Sequence, residues 1–194
     1  MKGYIYIAGS FETVNRSVCG QKGSSVDNDP HFWTHPPTWG ICRNDLRATS
    51  EPGNVVFFVF PKNGRHPQMI FAYLTIHRIV THVYAHSLAG LESKQMGKKM
   101  PNGNIIVNAT GGYNKYDGGA HKYKFDKIKR HYAVGKPNAS RMLSAREINH
   151  LAPSFLGKLS QILGKSGARP IDIISRKGSI LTPRQVQQLL TWLN

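Results

Sequence analysis

The sequence predicts an α+β fold, with strands first and helices at the end. Three observations carry this. "NVVFFVF", Asn54 to Phe60, is apolar on both faces, as a strand buried centrally in a sheet or barrel is. "QMIFAYLTIHRIVTHVYA", Gln68 to Ala85, is rich in β-branched and aromatic residues and reads as a strand or strand pair. Helix signals appear only after "VGKPNASRM", and strands followed by helices without alternation argue α+β rather than repeated βαβ units.

Taken in order, "MKGYIYIAGSF" alternates after a single lysine, so Tyr4 to Ile7 is a first strand and not the apolar segment of a signal peptide. A polar loop from Ser10 to Pro37 follows; loops of that length are functional or disordered. Its end, "DPHFWTHPPTW", is held extended by three prolines and carries Trp33 and Trp39. Glu51-Pro52-Gly53 makes a tight turn into the buried strand, and "PKNGRHP" turns out of it with Asn-Gly at the tip. "LESKQMGKKMPNGN" is a basic connection to the short strand beginning "NIIVNATGG", which opens into a glycine-rich loop.

Ser144-Ala145-Arg146-Glu147 fits a capping box, and the helix it starts is expected to break near Pro153. Thr182-Pro183 starts a last helix with Val186, Leu189, Leu190 and Leu193 on one face. The expected organisation is a β domain over residues 1–143 with a helical extension over 144–194 packed on it.

Charge is the dominant global property. Twenty-six Lys and Arg against ten Asp and Glu give a formal +16 over 194 residues. Such a field attracts polyanions, of which nucleic acid is the commonest in a cell. No basic amphipathic helix and no long apolar run points to a membrane. Two cysteines, Cys19 and Cys42, are too few for a disulfide framework, which makes the cytoplasm the expected setting. Scattered histidines without a Cys pair give no zinc site, and no motif calls for a cofactor.

Two stretches carry candidate chemistry. In the first, Trp33 and Trp39 lie near Cys42, Arg43 and Arg47. Aromatic faces beside guanidinium groups suit nucleotides, since every base has a π-face and every phosphate accepts a fork of hydrogen bonds. Composition alone equally allows Trp39 to be core and the arginines to be solvated. In the second, Asn108 to Tyr132, tyrosines including Tyr113 alternate with Lys115, Lys122, Lys124, Lys127, Lys129 and Arg130. That pattern suits a single strand or a flipped nucleotide, or else an ordinary solvated basic surface. Asn108, Asn114 and His121 are candidates for hydrogen bonds to a base edge.

Several enzyme signatures are excluded. Gly164-Lys165-Ser166 ends like a phosphate loop, but Leu159 stands where that loop requires glycine. There is no G-x-G-x-x-G and no G-x-S-x-G. Acid–base chemistry is left to His121 with Asp117, or to the His82/His86 pair.

Trp39-Gly40-Ile41-Cys42-Arg43, then Arg47, then Pro52-Gly53-Asn54-Val55-Val56-Phe57-Phe58 resembles the PUA-like superfamily. Within it, the likeness is to the nucleotide-modification-associated domains and their EVE, ASCH and YTH relatives. Ile70-Phe71-Ala72-Tyr73-Leu74-Thr75-Ile76 is similar to the strand that follows in those domains, and Asn54 departs from the aspartate that many of them carry. The resemblance covers residues 1–135, most sharply 39–77. It implies a small twisted β-barrel with flanking helices and a pocket for a base, often a modified one flipped from its strand.

The expected function is a nucleic-acid-binding module, on DNA or RNA. Trp33, Trp39, Cys42, Asn108, Tyr113, Asn114 and His121 would form its base pocket. Arg43, Arg47, Lys115, Lys122, Lys124, Lys129 and Arg130 would hold phosphates. The alternatives are an enzyme acting on nucleic acid, a nuclease or base-modification factor, and a protein that docks a partner through its C-terminal helices.

Overall fold

A computed structural model describes residues 1–8, 29–32, 35–60, 67–94 and 104–194. The strands are β1 (Gly3–Ile7), β2 (Thr38–Trp39), β3 (Val55–Val59), β4 (Ile70–Val80), β5 (Tyr132–Gly135), β6 (Arg141–Met142) and β7 (Ser179–Leu181). The helices are α1 (Asn44–Ala48), α2 (His82–Ser87), α3 (Phe125–Ile128), α4 (Ala145–Leu163), α5 (Pro170–Ile174) and α6 (Pro183–Leu193). The expected Asn-Gly turn at Asn63, the basic connection over residues 95–103, Trp33 and most of the 10–37 loop lie outside the described residues.

The seven strands form one mixed sheet ordered β2-β5-β4-β3-β1-β7, with β6 pairing β4 off this path. β1 runs parallel to β3, and the other pairings are antiparallel. The fold is α+β, as the sequence predicts. Among the described residues no pairing joins β2 to β7, so the sheet is open and not a closed barrel.

β3 is buried from Val55 to Val59 and sits between β1 and β4, which is why its sequence is apolar on both faces. The turn that feeds it places Gly53 at φ 85°, a left-handed conformation that glycine adopts without a Cβ clash. β4 is long enough to serve two neighbours. Its first half pairs β3, and past a bulge between Ile76 and Arg78 it pairs β5.

Three expectations are corrected. Within Gln68 to Ala85 the strand ends at Val80 and the rest is helix: the Thr81 side chain accepts the Tyr84 N–H and caps α2. α4 continues unbroken through Pro153, whose ring is solvent-exposed. The carbonyl that Pro153 leaves without an N–H donor belongs to Asn149, an exposed residue on the solvent side of the helix. The 144–194 segment is not all helix either, because it supplies β7 to the edge of the sheet beside β1.

Both capping boxes, Ser144 with Glu147 and Thr182 with Gln185, are formed. α4 buries Ile148, Phe155, Leu159 and Ile162, and α6 buries Val186, Leu189 and Leu193, all in the same core as the sheet. The apolar face of the last helix is therefore used inside the chain. No described helix is long and apolar enough to cross a membrane. A second, smaller core of Ala85, Leu91, Ile105, Ile106, Val107, Ile128, Tyr132 and Val134 underlies the glycine-rich segment and anchors it to β5.

Candidate functional site

One wall of the site is the turn from Gly40 to Arg43, which a buried carboxylate holds in place. Asp29 accepts the backbone N–H groups of Gly40 at 2.6 Å, Ile41 at 2.9 Å and Cys42 at 2.5 Å. Asn104 ties this clasp to β2 and β5, donating to Asp29 and Thr38 while accepting the Tyr132 hydroxyl at 2.7 Å. Gly40 is required here, since a Cβ would lie 2.1 Å from the Asn104 carbonyl and 2.7 Å from the Tyr132 ring. His82 locks the same turn: its Nε2–H donates to the Gly40 carbonyl at 2.8 Å, and its Nδ1 accepts the Ile106 N–H at 3.0 Å. Burial, then the nearby Arg47 charge, lowers its pKa to about 3. His82 is a neutral structural histidine and not an acid–base group.

The clasp ends on Arg43, which sits at φ 53° in the left-handed region. For a non-glycine residue that conformation costs roughly 1–3 kcal/mol, and it persists because the neighbouring bonds over-determine it. Arg43 then lies over the Tyr6 ring, 5.4 Å from its centroid, and grips Asp45 through Nε and Nη2 at 2.9 and 2.7 Å. This fork holds the Asp45 carboxyl below its ordinary range. It also commits two of the donors expected to face phosphate.

The opposite wall is built on Asp117. This buried carboxylate accepts the Tyr113 hydroxyl, the His121 backbone N–H at 2.8 Å and the His121 ring through Nδ1 at 2.8 Å. Burial acts to raise the Asp117 pKa, but the hydrogen bonds from His121 and Tyr113 outweigh it and the pKa falls. Burial, and then the bond to Asp117, pushes Tyr113 up to about 12. The contact from Nδ1 to the carboxylate fixes the orientation of the His121 ring.

Between these walls lies a cavity of about 590 Å³. Its inner side is apolar, made by Tyr6, Ile41 and Ile128, all buried. Cys42, Arg43, Asn44 and Asp45 form one rim, and His121, Tyr123, Lys124 and Lys127 the other. Tyr123 is 77% exposed, with the Lys124 ammonium 4.9 Å from its ring centroid. A second cavity of about 390 Å³ holds Asn108, Tyr113, Asn114 and Lys115 beside His86 and Tyr116.

The structure thus brings Cys42, Arg43, His121 and Lys124 together in one cavity, and Asn108, Tyr113, Asn114 and Lys115 in the other. The amide oxygens of Asn108 and Asn114 are committed to their own loop: Asn108 accepts from Thr110 and Gly112, and Asn114 from Tyr116. Lys129 pairs with Asp126 at 2.6 Å, while Lys122 and Arg130 are exposed outside both cavities.

Two expected ligand groups are core residues. Trp39 is fully buried, stacked on Tyr6 at 5.6 Å and edge-on to Phe58 at 5.7 Å, so it cannot receive a base from outside. Arg47 is also fully buried, and its guanidinium donates to the carbonyls of Ile41, Cys42 and His131 instead of facing phosphate. Sequence reading left out Tyr6, Asn44, Asp45, Tyr123 and Lys127 as site residues. A signal existed for two of them, since Tyr123 and Lys127 belong to the alternating basic–aromatic run.

Comparison with protein-family models, with curated proteins and with solved structures finds no match to this chain.

Proposed function

We propose that the 590 Å³ cavity receives a nucleobase of DNA or RNA, and that the protein is a nucleic-acid-binding module. One observation carries this reading: an exposed ring, Tyr123, stands at the mouth of an apolar cavity flanked by Lys124, Lys127 and Arg43. The ring offers a stacking face, the ammonium groups offer charge to the flanking phosphates, and the apolar interior excludes water from the base. Polar groups on the rim, Asn44 and His121, would discriminate among bases, since stacking alone tolerates any of them. The formal +16 supports a polyanionic ligand.

The PUA-like likeness belongs to this reading, with recognition of a modified base as its finer content. In its support, the Pro52-Gly53 turn does lead into a buried central strand, and Arg43 does stand at a cavity rim. The small number of cysteines supports a cytoplasmic setting. The test is an anisotropy titration against oligonucleotides that differ only in one base modification, repeated at several salt concentrations. Salt-sensitive binding with a preference among the bases is the expected result. Equal, salt-insensitive affinity for all of them would sink the reading.

A second reading has one observation in its favour, the carboxylate-held imidazole on the cavity rim. A histidine oriented by aspartate beside ammonium groups is suited to acid–base attack on a phosphodiester. Strand scission followed in the same titrations, with and without Mg²⁺, separates an enzyme from a binding module. Scission that is lost in His121→Ala would establish this second reading.

A further inference from the structure

We propose that the two cavities are adjacent subsites for successive nucleotides of one single strand, an inference that rests on the base-pocket reading of the larger cavity. They share a wall. Tyr113 lines the smaller cavity, His121 lines the larger one, and both side chains bond to the same Asp117 carboxylate. The oxygens of that buried carboxylate are taken up by the Tyr113 hydroxyl and by the His121 ring and backbone N–H, so the partition turns hydrogen-bonded side chains, not an open carboxylate, toward a strand crossing it.

The cavities also repeat one device. At the larger, the Lys124 ammonium lies 4.9 Å from the Tyr123 ring; at the smaller, the Lys115 ammonium lies 5.5 Å from the Tyr116 ring. A ring coupled to a cation is the unit that holds one nucleotide of a single strand, the ring under the base and the cation by its phosphate. Two such units on either side of one carboxylate match two nucleotides in sequence. The chain reverses between them through Gly118 and Gly119, at φ 62° and 85°, which carries one segment from the smaller cavity to the larger. The ligand class is therefore a single strand of two or more nucleotides, with an unpaired backbone that can turn at the partition. A duplex, whose bases are paired and stacked, does not fit it.

The experiment measures Kd for a mononucleotide, a dinucleotide and a tetranucleotide of one base, each 5′-phosphorylated. The proteins are the intact chain, the variant Lys115→Ala with Tyr116→Ala, and the variant Tyr123→Ala with Lys124→Ala. The intact protein should gain about tenfold in affinity from one nucleotide to two. The Lys115/Tyr116 variant should lose that gain, while the Tyr123/Lys124 variant should weaken every length. Lys115→Glu, at an exposed position that does not test the fold, should reproduce the loss on the dinucleotide. A length gain that survives the Lys115 substitutions overturns the two-subsite proposal and leaves the base pocket standing. Binding of every length that ignores Tyr123 and Lys124 overturns both.

Discussion

The guanidinium carbon of Arg47 lies 5.4 Å from the centroid of the Trp39 ring, and neither side chain reaches solvent. A charge taken out of water needs its donors satisfied, and Arg47 reaches three main-chain carbonyls from one planar fork. Two of those carbonyls, Ile41 and Cys42, belong to the turn that forms the cavity rim, so this core contact shapes the site from behind. Arg47→Lys keeps the charge but cannot span the three acceptors. It should cost about 3 kcal/mol, measured as a lowered urea midpoint with unchanged slope. In the folded variant the salt dependence of nucleic-acid binding should stay as it was. A slope reduced by about one would instead put Arg47 on a phosphate.

Asp29 gives a second stability prediction on the same turn. Three successive N–H groups point at one buried carboxylate, each a charge-assisted hydrogen bond. Asp29→Asn preserves size but removes the charge and turns an NH₂ group toward N–H donors. A loss of about 3 kcal/mol is expected, together with weaker nucleotide binding as the Cys42–Arg43 rim relaxes. Gly40→Ala should be comparably damaging, because its Cβ has no space beside Asn104 and Tyr132. Wild-type melting of either variant would show that the clasp does not hold the turn.

The elements most legible in the sequence were those whose signal is local. The apolar strand at Val55–Val59, the turn at Gly53, the capping box at Ser144 and the helix start at Thr182-Pro183 follow from short patterns with one physical solution. β5, β6 and β7 are two to four residues long, and their pairing is decided by distant partners that leave no periodicity behind. The site was legible by half for the same reason. Arg43 and Arg47 are the same residue type four positions apart, on a short helix and its cap. One ends at the cavity and the other under Trp39, and only the fold distinguishes them. Tyr6 and Lys127 meet in one cavity although they are far apart in the chain, so no spacing rule could join them.

Buried histidines predict an acid limb in the stability curve. Burial, with the Lys94 charge second, lowers the His31 pKa to about 3; burial, with Arg47 second, lowers that of His82 to about 3. Both pKa values are depressed relative to the unfolded chain, so between roughly pH 3 and 6.5 the unfolded state binds protons that the native state refuses. Their contribution is fully present above about pH 6.5 and falls as pH drops through that window, by on the order of a few kcal/mol for each histidine. Urea midpoints should therefore fall steadily from pH 7 to pH 4.5. That is above the range where carboxylates such as Glu147, lowered to about 2 chiefly by its bond to Arg141, begin to add their own loss. A flat midpoint over that range would mean that the two rings charge without unfolding the protein.

Tyr123 and the lysines beside it allow the base-pocket reading to be separated into its parts. Tyr123 is 77% exposed and contributes little to the core, so Tyr123→Ala should leave thermal stability unchanged. If its ring carries a base, affinity should fall about 5- to 100-fold, the range for one lost stacking contact. Stacking involves no counterions, so the slope of log K against log salt should not move. Lys124→Ala with Lys127→Ala should do the reverse, flattening that slope by about 1.4 on a single strand, roughly 0.7 for each phosphate contact, and weakening all sequences alike. These two signatures are independent, one in affinity at fixed slope and the other in the slope itself. Variants of the core residue Trp39 should produce neither, but a loss of about 3–5 kcal/mol in stability. If Tyr123→Ala binds as tightly as the intact protein while the lysine pair flattens the slope, the cavity mouth is a phosphate track without a base pocket.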